Sequence, residues 1–441
     1  MLAALFWRRD KCCPRAGIRG EREIVPEAAT AHLTSQIGDV TRREPMQCLP
    51  HLQVIVRNDL EHCPRWQFAF ASERKDHRYY ELVEDTLHPE FDYRYFLIKD
   101  AVDQVCAVQP FFLMDLDLLA GASPRFGVII DAIRRVWPGL MRARALMVGC
   151  VAGEGHLDGD EACHRGCAEL LASTIAIHAR RLGARLIVLK EFPARYRPIL
   201  DCLIAHGFTR IPSLPMTRLC IDYANFDDYM NHALNSATRK KLRKKFEATA
   251  RASPSVEMNV VNDATPVIAQ IYPLYFQVYQ RSKLHFEKLT EQYFCDLGRR
   301  MGDKVRFFLW RQNERIVAFA ACMVHGDAIY AEYIGLDYDV ALDLHLYHYV
   351  FRDMVSWAIA NGYKWFRSSG LNYDPKLHLR HLLDPIDLYV RHTSAPINSV
   401  LKRILPVLEP TRYDETLAKF RNYQELWAQP ETGLGPVEDT A

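Results

Sequence analysis

Glu332 stands in "AIYAEYIGL", an apolar and aromatic run with one carboxylate, flanked by Tyr330 and Tyr333. The run reads as a mostly buried strand. A carboxylate there is costly unless paired, and burial raises its pKa toward that of a useful general base. Further along, "NYDPKLHL" carries Tyr373 and Lys376 just past the end of the following strand, where α/β sheets place functional groups. The Lys376 ammonium would hold a donor phosphate or stabilise a developing oxyanion, and the Tyr373 hydroxyl would hand a proton to a leaving group. Each also has a plainer role: a salt bridge for Glu332, an amphipathic core position for Tyr373, a surface lysine for Lys376.

A second cluster is "SATRKKLRKKFEATARAS", Ser236 to Ser253, with seven basic residues and one acid in a chain whose net charge is only +2. Leu234, Ala237, Leu242, Phe246 and Ala250 fall close to one helix face, and the cations spread around the rest. The run is expected to be a solvated helix docked on its domain, with Arg239, Lys240, Arg243 and Lys244 available to an anionic substrate or donor. Such a contact would weaken steeply with salt. No helix-turn-helix companion is evident, so no DNA partner is expected. The apolar face lacks a Trp/Phe/Leu block, and no stretch approaches the roughly 18 apolar residues of a bilayer span, so no membrane insertion is expected.

"HLDGDEACHRGC" holds His156, Cys163, His164 and Cys167, but the spacing matches no zinc signature, and no metal site is expected. The twelve cysteines are scattered, with one adjacent pair (Cys12, Cys13) and no CxxC, which reads as reduced thiols and a cytoplasmic protein. "MLAALFW" is short for a secretory segment and no small-residue cleavage pattern follows it. Residues 1–50, rich in Arg, Glu, Pro and Gly, read as a flexible leader.

The elements that must position these groups alternate as short apolar strands and amphipathic helices, an α/β layer architecture. A pattern occurs twice. "ARALMVGC" reads as a strand, "CAELLASTIAIHARRLG" as a helix capped by Gly183, "ARLIVLK" as a strand, "RPILDCLIAHGF" as a second helix, and "MTRLCIDY" as the closing strand. In the second half the same order runs through "AIYAEYIGL", "LYHYVFRDMVSWAIANG" with a cap near Gly362, "YKWFRSS", a short "PKLHLRHL" segment and "IDLYVRH". This is an internal duplication, joined near residue 222, with one domain over 51–222 and a second over 223–441 that carries the cleft.

From Phe226 to about Val407 the chain resembles the GNAT superfamily, in particular its Fem-like branch with tandem GNAT domains. The resemblance rests on the basic run before a helix, on "VRFFLWRQNERIVAFAACMVHGDAIYAEYIGLDYD", and on the small-residue turn with Tyr373 and Lys376 in "WFRSSGLNYDPKLHL". It implies two mixed twisted sheets flanked by helices, and transfer of an acyl or aminoacyl group to an amine or hydroxyl of a small-molecule acceptor. The donor would lie between splayed central strands, with Tyr330, Tyr333 and His345 beside it. No tightly bound cofactor is implied; acyl-CoA would be a co-substrate.

GNAT enzymes cradle a pyrophosphate with a Gly-rich turn at the start of the long helix. Here that place reads "LDYDVALDLHLYH", with Asp337, Asp339 and Asp343 and no glycine pair. The corresponding first-half loop, "VAGEGHLDGDEACHRG", has glycines but also Glu154, Asp158, Asp160 and Glu161. A donor bound to an acyl carrier and an aminoacyl-tRNA therefore stand beside acyl-CoA. A Fem-type transferase building peptide bonds on a cell-wall precursor is the alternative within transferases. A catalytically silent GNAT-fold binding module is the alternative outside them.

Overall fold

The computed structural model describes residues 50–87, 91–117, 142–282 and 286–429. The expected leader at 1–50 lies outside the described residues, apart from its last position. In the first half, strand His51–Ile55 (β1) leads to helix His77–Leu87 (α1), then to strands Asp92–Lys99 (β2), Val105–Asp117 (β3) and Arg142–Val148 (β4). Helix Glu161–Arg181 (α2) and strand Leu186–Pro193 (β5) follow. "RPILDCLIAHGF" forms two short helical turns, Arg197–Leu200 and Cys202–Ala205, before strands Thr209–Pro212 (β6) and Met216–Cys220 (β7).

The second half opens with two helices, Phe226–Ala233 (α3) and Ser236–Ala250 (α4), each capped by an asparagine side chain, Asn225 or Asn235. Strand Val256–Val261 (β8), helices Ile268–Arg281 (α5) and Glu291–Met301 (α6), and strands Val305–Gln312 (β9), Arg315–His325 (β10) and Ala328–Leu336 (β11) come next. Helix Leu346–Ala360 (α7), strand Trp365–Ser368 (β12), helix Tyr373–His378 (α8), strands Leu382–Asp384 (β13) and Ile386–His392 (β14) and helix Ala395–Leu408 (α9) complete the series. Gly183 and Gly362 follow α2 and α7 with φ +71° and +79°, the left-handed geometry that lets a glycine end a helix.

The expected pair of mixed α/β sheets is present, and the duplication is closer than the sequence pattern shows. One seven-stranded sheet runs β1-β2-β3-β4-β5-β14-β6 and the other β8-β9-β10-β11-β12-β7-β13. In each, a single parallel pair, β4·β5 or β11·β12, sits among antiparallel neighbours. The sixth place of each sheet is filled from the other half. β14 pairs with β5 and β6 in the first sheet, and β7 pairs with β12 and β13 in the second. The sheets therefore do not divide at residue 222. The expected closing strands "MTRLCIDY" and "IDLYVRH" are exchanged, because each pairs with whichever strand edge lies beside it and local sequence does not name that edge.

Helix α2 covers the outer face of the first sheet, and α3, α4 and α7 cover that of the second. The inner faces meet in one core with α1, α5 and α6, joining Tyr95, Phe112 and Met147 to Phe307, Phe319 and Met323. Within it the Tyr79 and Tyr293 hydroxyls lie 2.7 Å apart, and Tyr79 donates to the Ala152 carbonyl. A buried Arg197–Asp387 pair, hydrogen-bonded at 2.6 and 3.1 Å, ties the first half to β14.

Candidate active site

Strand β11 is longer than its parallel partner. The two pair from Ala328 with Trp365 to Ala331 with Ser368, and β11 then continues alone on that side to Leu336. The place where it forks carries a β-bulge. Against β10, Tyr333 faces Ala321 and Ala331 faces Cys322, so Glu332 is the extra residue. A bulge re-aims the side chains around it, and here the fork and the re-aimed carboxylate coincide.

Glu332 does not stand alone. It is ion-paired with Arg74 and lies 3.4 Å from the Lys75 ammonium. Both cations come from the segment before α1 and are almost fully buried. Glu154, from the loop after β4, pairs with the same two residues. Burial alone would push the Glu154 carboxyl up, but Arg74 and Lys75 hold it well below the usual carboxylate range. Burial, with Arg74 alongside, pulls the Lys75 ammonium below the usual lysine range. Gly153 leaves the space for this ammonium, since a Cβ there would fall onto Nζ. Glu332 is thus one corner of a buried ionic tetrad that joins the two halves.

The groups around Tyr333 suit proton transfer better. Its hydroxyl lies 3.5 Å from Oε1 of Glu287, and burial raises the Glu287 carboxyl to about 7 against the opposing pull of Lys190. Lys190 is buried, donating to the Gly153 carbonyl at 2.9 Å and to Glu191 at 2.6 Å. Tyr330, on the same strand, has its ring beneath the Arg74 guanidinium at 4.2 Å.

The far side of the fork is held by Lys376. Its Nζ donates at 2.6 Å to the carbonyl of Ser369, the first residue after β12, and burial lowers its pKa to about 7. Tyr373 lies at the start of α8, but its hydroxyl donates at 2.8 Å to the Pro215 carbonyl and its ring packs on Phe420. Burial drives its pKa further up. Its one proton is engaged in the bond to Pro215.

The remaining expected residues lie on α4 and at the start of α7. Arg239 donates to the carbonyls of Asn231 and Leu234, and Arg243 to the Asn231 side chain, while Lys240 and Lys244 are exposed on α4. Leu242 and Phe246 dock α4 on the side of the second sheet opposite Tyr333. A groove of about 570 Å³ there is lined by Arg243, Glu247, Phe246 and Arg352. His345 is the N-cap of α7, with φ +47° and no capping hydrogen bond from its side chain. Beside it Asp337 is buried, paired with Arg315 and accepting from the Asp339 amide. In the first half, His156 lies 3.4 Å from Glu154 and 3.5 Å from Glu73, Cys167 is buried and Cys163 exposed.

Residues 216–377 match the FemAB-like family, described as peptidoglycan biosynthesis/recognition. The match begins at the exchanged strand β7 and ends within α8, so it takes in the fork, the bulge and Lys376. No curated protein matches the chain. Among solved structures it is similar to FemX, at 13% identity with a TM-score of 0.47, covering 74% of this chain and 93% of that one. It is also similar to the C-terminal domain of a putative lysylphosphatidylglycerol synthetase from Agrobacterium fabrum, at 15% identity and TM-score 0.40, covering 60% and 82%. A tandem GNAT protein from the clavulanic acid biosynthesis pathway matches at 11% identity and TM-score 0.42, covering 78% and 99%. No described helix is long and apolar enough to cross a membrane.

Reading the sequence missed Arg74, Lys75, Lys190 and Glu287, and took Glu154 only as an acid of the first-half loop. The signal available was the adjacent cations of "SERKDH" between two apolar stretches, with glycines near Glu154 to receive them.

Proposed function

We propose that the chain is a Fem-type aminoacyl transferase, moving an acyl group from an ester on tRNA to an amine of a peptidoglycan-related acceptor. The observation that carries this reading is the fork between β11 and β12, with Glu287 and Tyr333 on one side and Lys376 on the other. An acceptor ammonium gives one proton to the Glu287 carboxylate, which is half ionised near neutrality. The free amine attacks the ester carbonyl, the C–N bond forms, and the positive charge at Lys376 favours the oxyanion. The ester C–O bond then breaks, and the amine's second proton passes to the leaving ribose oxygen. Glu287 returns its proton to solvent.

The tRNA ester is favoured over acyl-CoA by the turn before α7, where Asp337 and Asp339 stand in place of a phosphate cradle. The exposed cations of α4 offer a polyanion a surface. The test is product formation by the full chain from aminoacyl-tRNA and from acetyl-CoA or longer acyl-CoAs, with a muropeptide amine as acceptor. Amide formation from the tRNA ester, lost at high salt, is the expected result. Consumption of acyl-CoA with the tRNA ester untouched overturns the donor assignment, and no product from either leaves a binding module.

A further inference from the structure

Arg218 of β7 and Arg367 of β12 are register partners on adjacent antiparallel strands, so their side chains leave the same face of the sheet. Arg367 is also in register with Tyr330, and its guanidinium lies 5.7 Å from that ring. Like charges directly opposite one another destabilise a strand pair, so the arrangement calls for a bridging anion. The protein supplies only part of one. Arg367 donates to Asp384 at 2.6 Å, whereas the nearest acid to Arg218 is Glu425 at 4.0 Å. The Nε of each arginine is shielded from solvent and has no acceptor among the described residues. Both side chains remain about a quarter exposed, at 27% and 28%, so a ligand can reach them.

We infer that Arg218 and Arg367 form a phosphate-binding subsite on this face of the sheet. Two planar guanidiniums side by side suit a tetrahedral oxyanion that accepts from both at once. Arg367 precedes Ser369 by two residues, so at about 3.3 Å per residue its backbone lies roughly 7 Å from the fork. The exchange of strands matters here, because Arg218 reaches the second sheet only through β7. The inference rests on the transferase reading for the ligand's role, and two sources share its chemistry: the terminal nucleotide of a tRNA donor and the diphosphate of a nucleotide-linked acceptor.

Equilibrium binding of 5′-AMP and UDP, each against its phosphate-free nucleoside, tests the subsite without any transfer step. The nucleotide is expected to bind at least tenfold tighter than the nucleoside. Arg218→Gln and Arg367→Gln should each remove that margin, and Arg218→Lys should restore it only in part. Asp384→Asn, which frees Arg367 from its acid, should tighten nucleotide binding several-fold, and this variant answers the question even if a glutamine variant does not fold. Tighter binding of AMP assigns the phosphate to the donor, and of UDP to the acceptor. Equal binding of nucleotide and nucleoside, or wild-type binding by folded Arg218→Gln and Arg367→Gln, overturns the subsite. A chain that binds nucleotide through these arginines yet transfers nothing would overturn the transferase reading alone.

Discussion

Arg74, in the first half of the chain, is ion-paired with Glu332, the extra residue of the β11 bulge in the second. The contact makes the fork a shared structure: the strand that opens it belongs to one half and the charge that fixes its bulge to the other. Glu332→Gln leaves Arg74 and Lys75 with Glu154 as their one remaining carboxylate, and removing one partner of a buried pair costs about 3 kcal/mol. The expected outcome is a lower melting temperature with an unchanged acidic limb in the pH–rate profile. A double variant, Arg74→Met with Glu332→Leu, should recover much of the lost stability. Loss of the acidic limb in a stable Glu332→Gln protein would return the general base to Glu332.

Glu287 sets a different expectation. Its carboxyl and the Lys376 ammonium both titrate at about 7, so the rate should rise about tenfold per pH unit below 7, peak there, and fall above it as Lys376 loses its charge. Glu287→Gln should lower turnover by about a hundredfold or more and abolish that limb. Stability moves the other way. A carboxyl whose pKa is raised on folding binds its proton more tightly in the folded state, so its contribution is complete below its ordinary value of 4.5 and is lost as pH climbs to about 7. Above pH 7 the glutamine variant should therefore melt higher than the wild type. Equal melting temperatures at pH 5 and pH 8 in both proteins would show that Glu287 is solvated.

The order of elements in both halves was legible because it depends on local patterns: the 3.6-residue period of α2 and α7, the glycines after them, and the apolar strand around Glu332. The exchange of β7 and β14 was not, since strand pairing is decided by which edges lie together in space and both strands carry ordinary apolar alternation. Glu332 was singled out as a carboxylate in an apolar strand and Lys376 as a cation just past a strand end. Their chemistry was not legible, because it depends on neighbours supplied from far along the chain, Arg74 and Lys75 for the first and the Ser369 carbonyl for the second. The partner of Tyr373 was hidden for the same reason: nothing near it in sequence reveals that Pro215 accepts its hydroxyl hydrogen bond.

The exchanged strands predict how the chain unfolds. A fragment covering 51–222 would lack β14, leaving β5 and β6 without the strand that lies between them, and would carry β7 with no sheet to join. Exposed strand edges of that kind aggregate. The intact protein should melt in one transition with equal calorimetric and van't Hoff enthalpies, and the isolated fragment should be insoluble or unfolded. Two resolved transitions, or a soluble fragment with native near-ultraviolet dichroism, would mean that each half is stable without the other's strand.

Lys376 separates function from stability. Burial lowers its pKa to about 7 from an ordinary 10.5, so the folded state disfavours the charged form. The sign follows: wild-type stability should rise with pH from about 7 toward 10.5, as the unfolded chain loses its advantage in holding that proton. Lys376→Met removes a buried charge at the cost of one hydrogen bond to the Ser369 carbonyl, so at pH 6 it should melt no lower than the wild type. Turnover should nevertheless fall at least tenfold, because the positive charge beside the fork is gone. Residues that weaken the fold while serving a reaction are expected at working sites. A Lys376→Met protein with full activity would make the buried ammonium a defect with no purpose, and would move the charge that favours the oxyanion to Lys75 or Lys190.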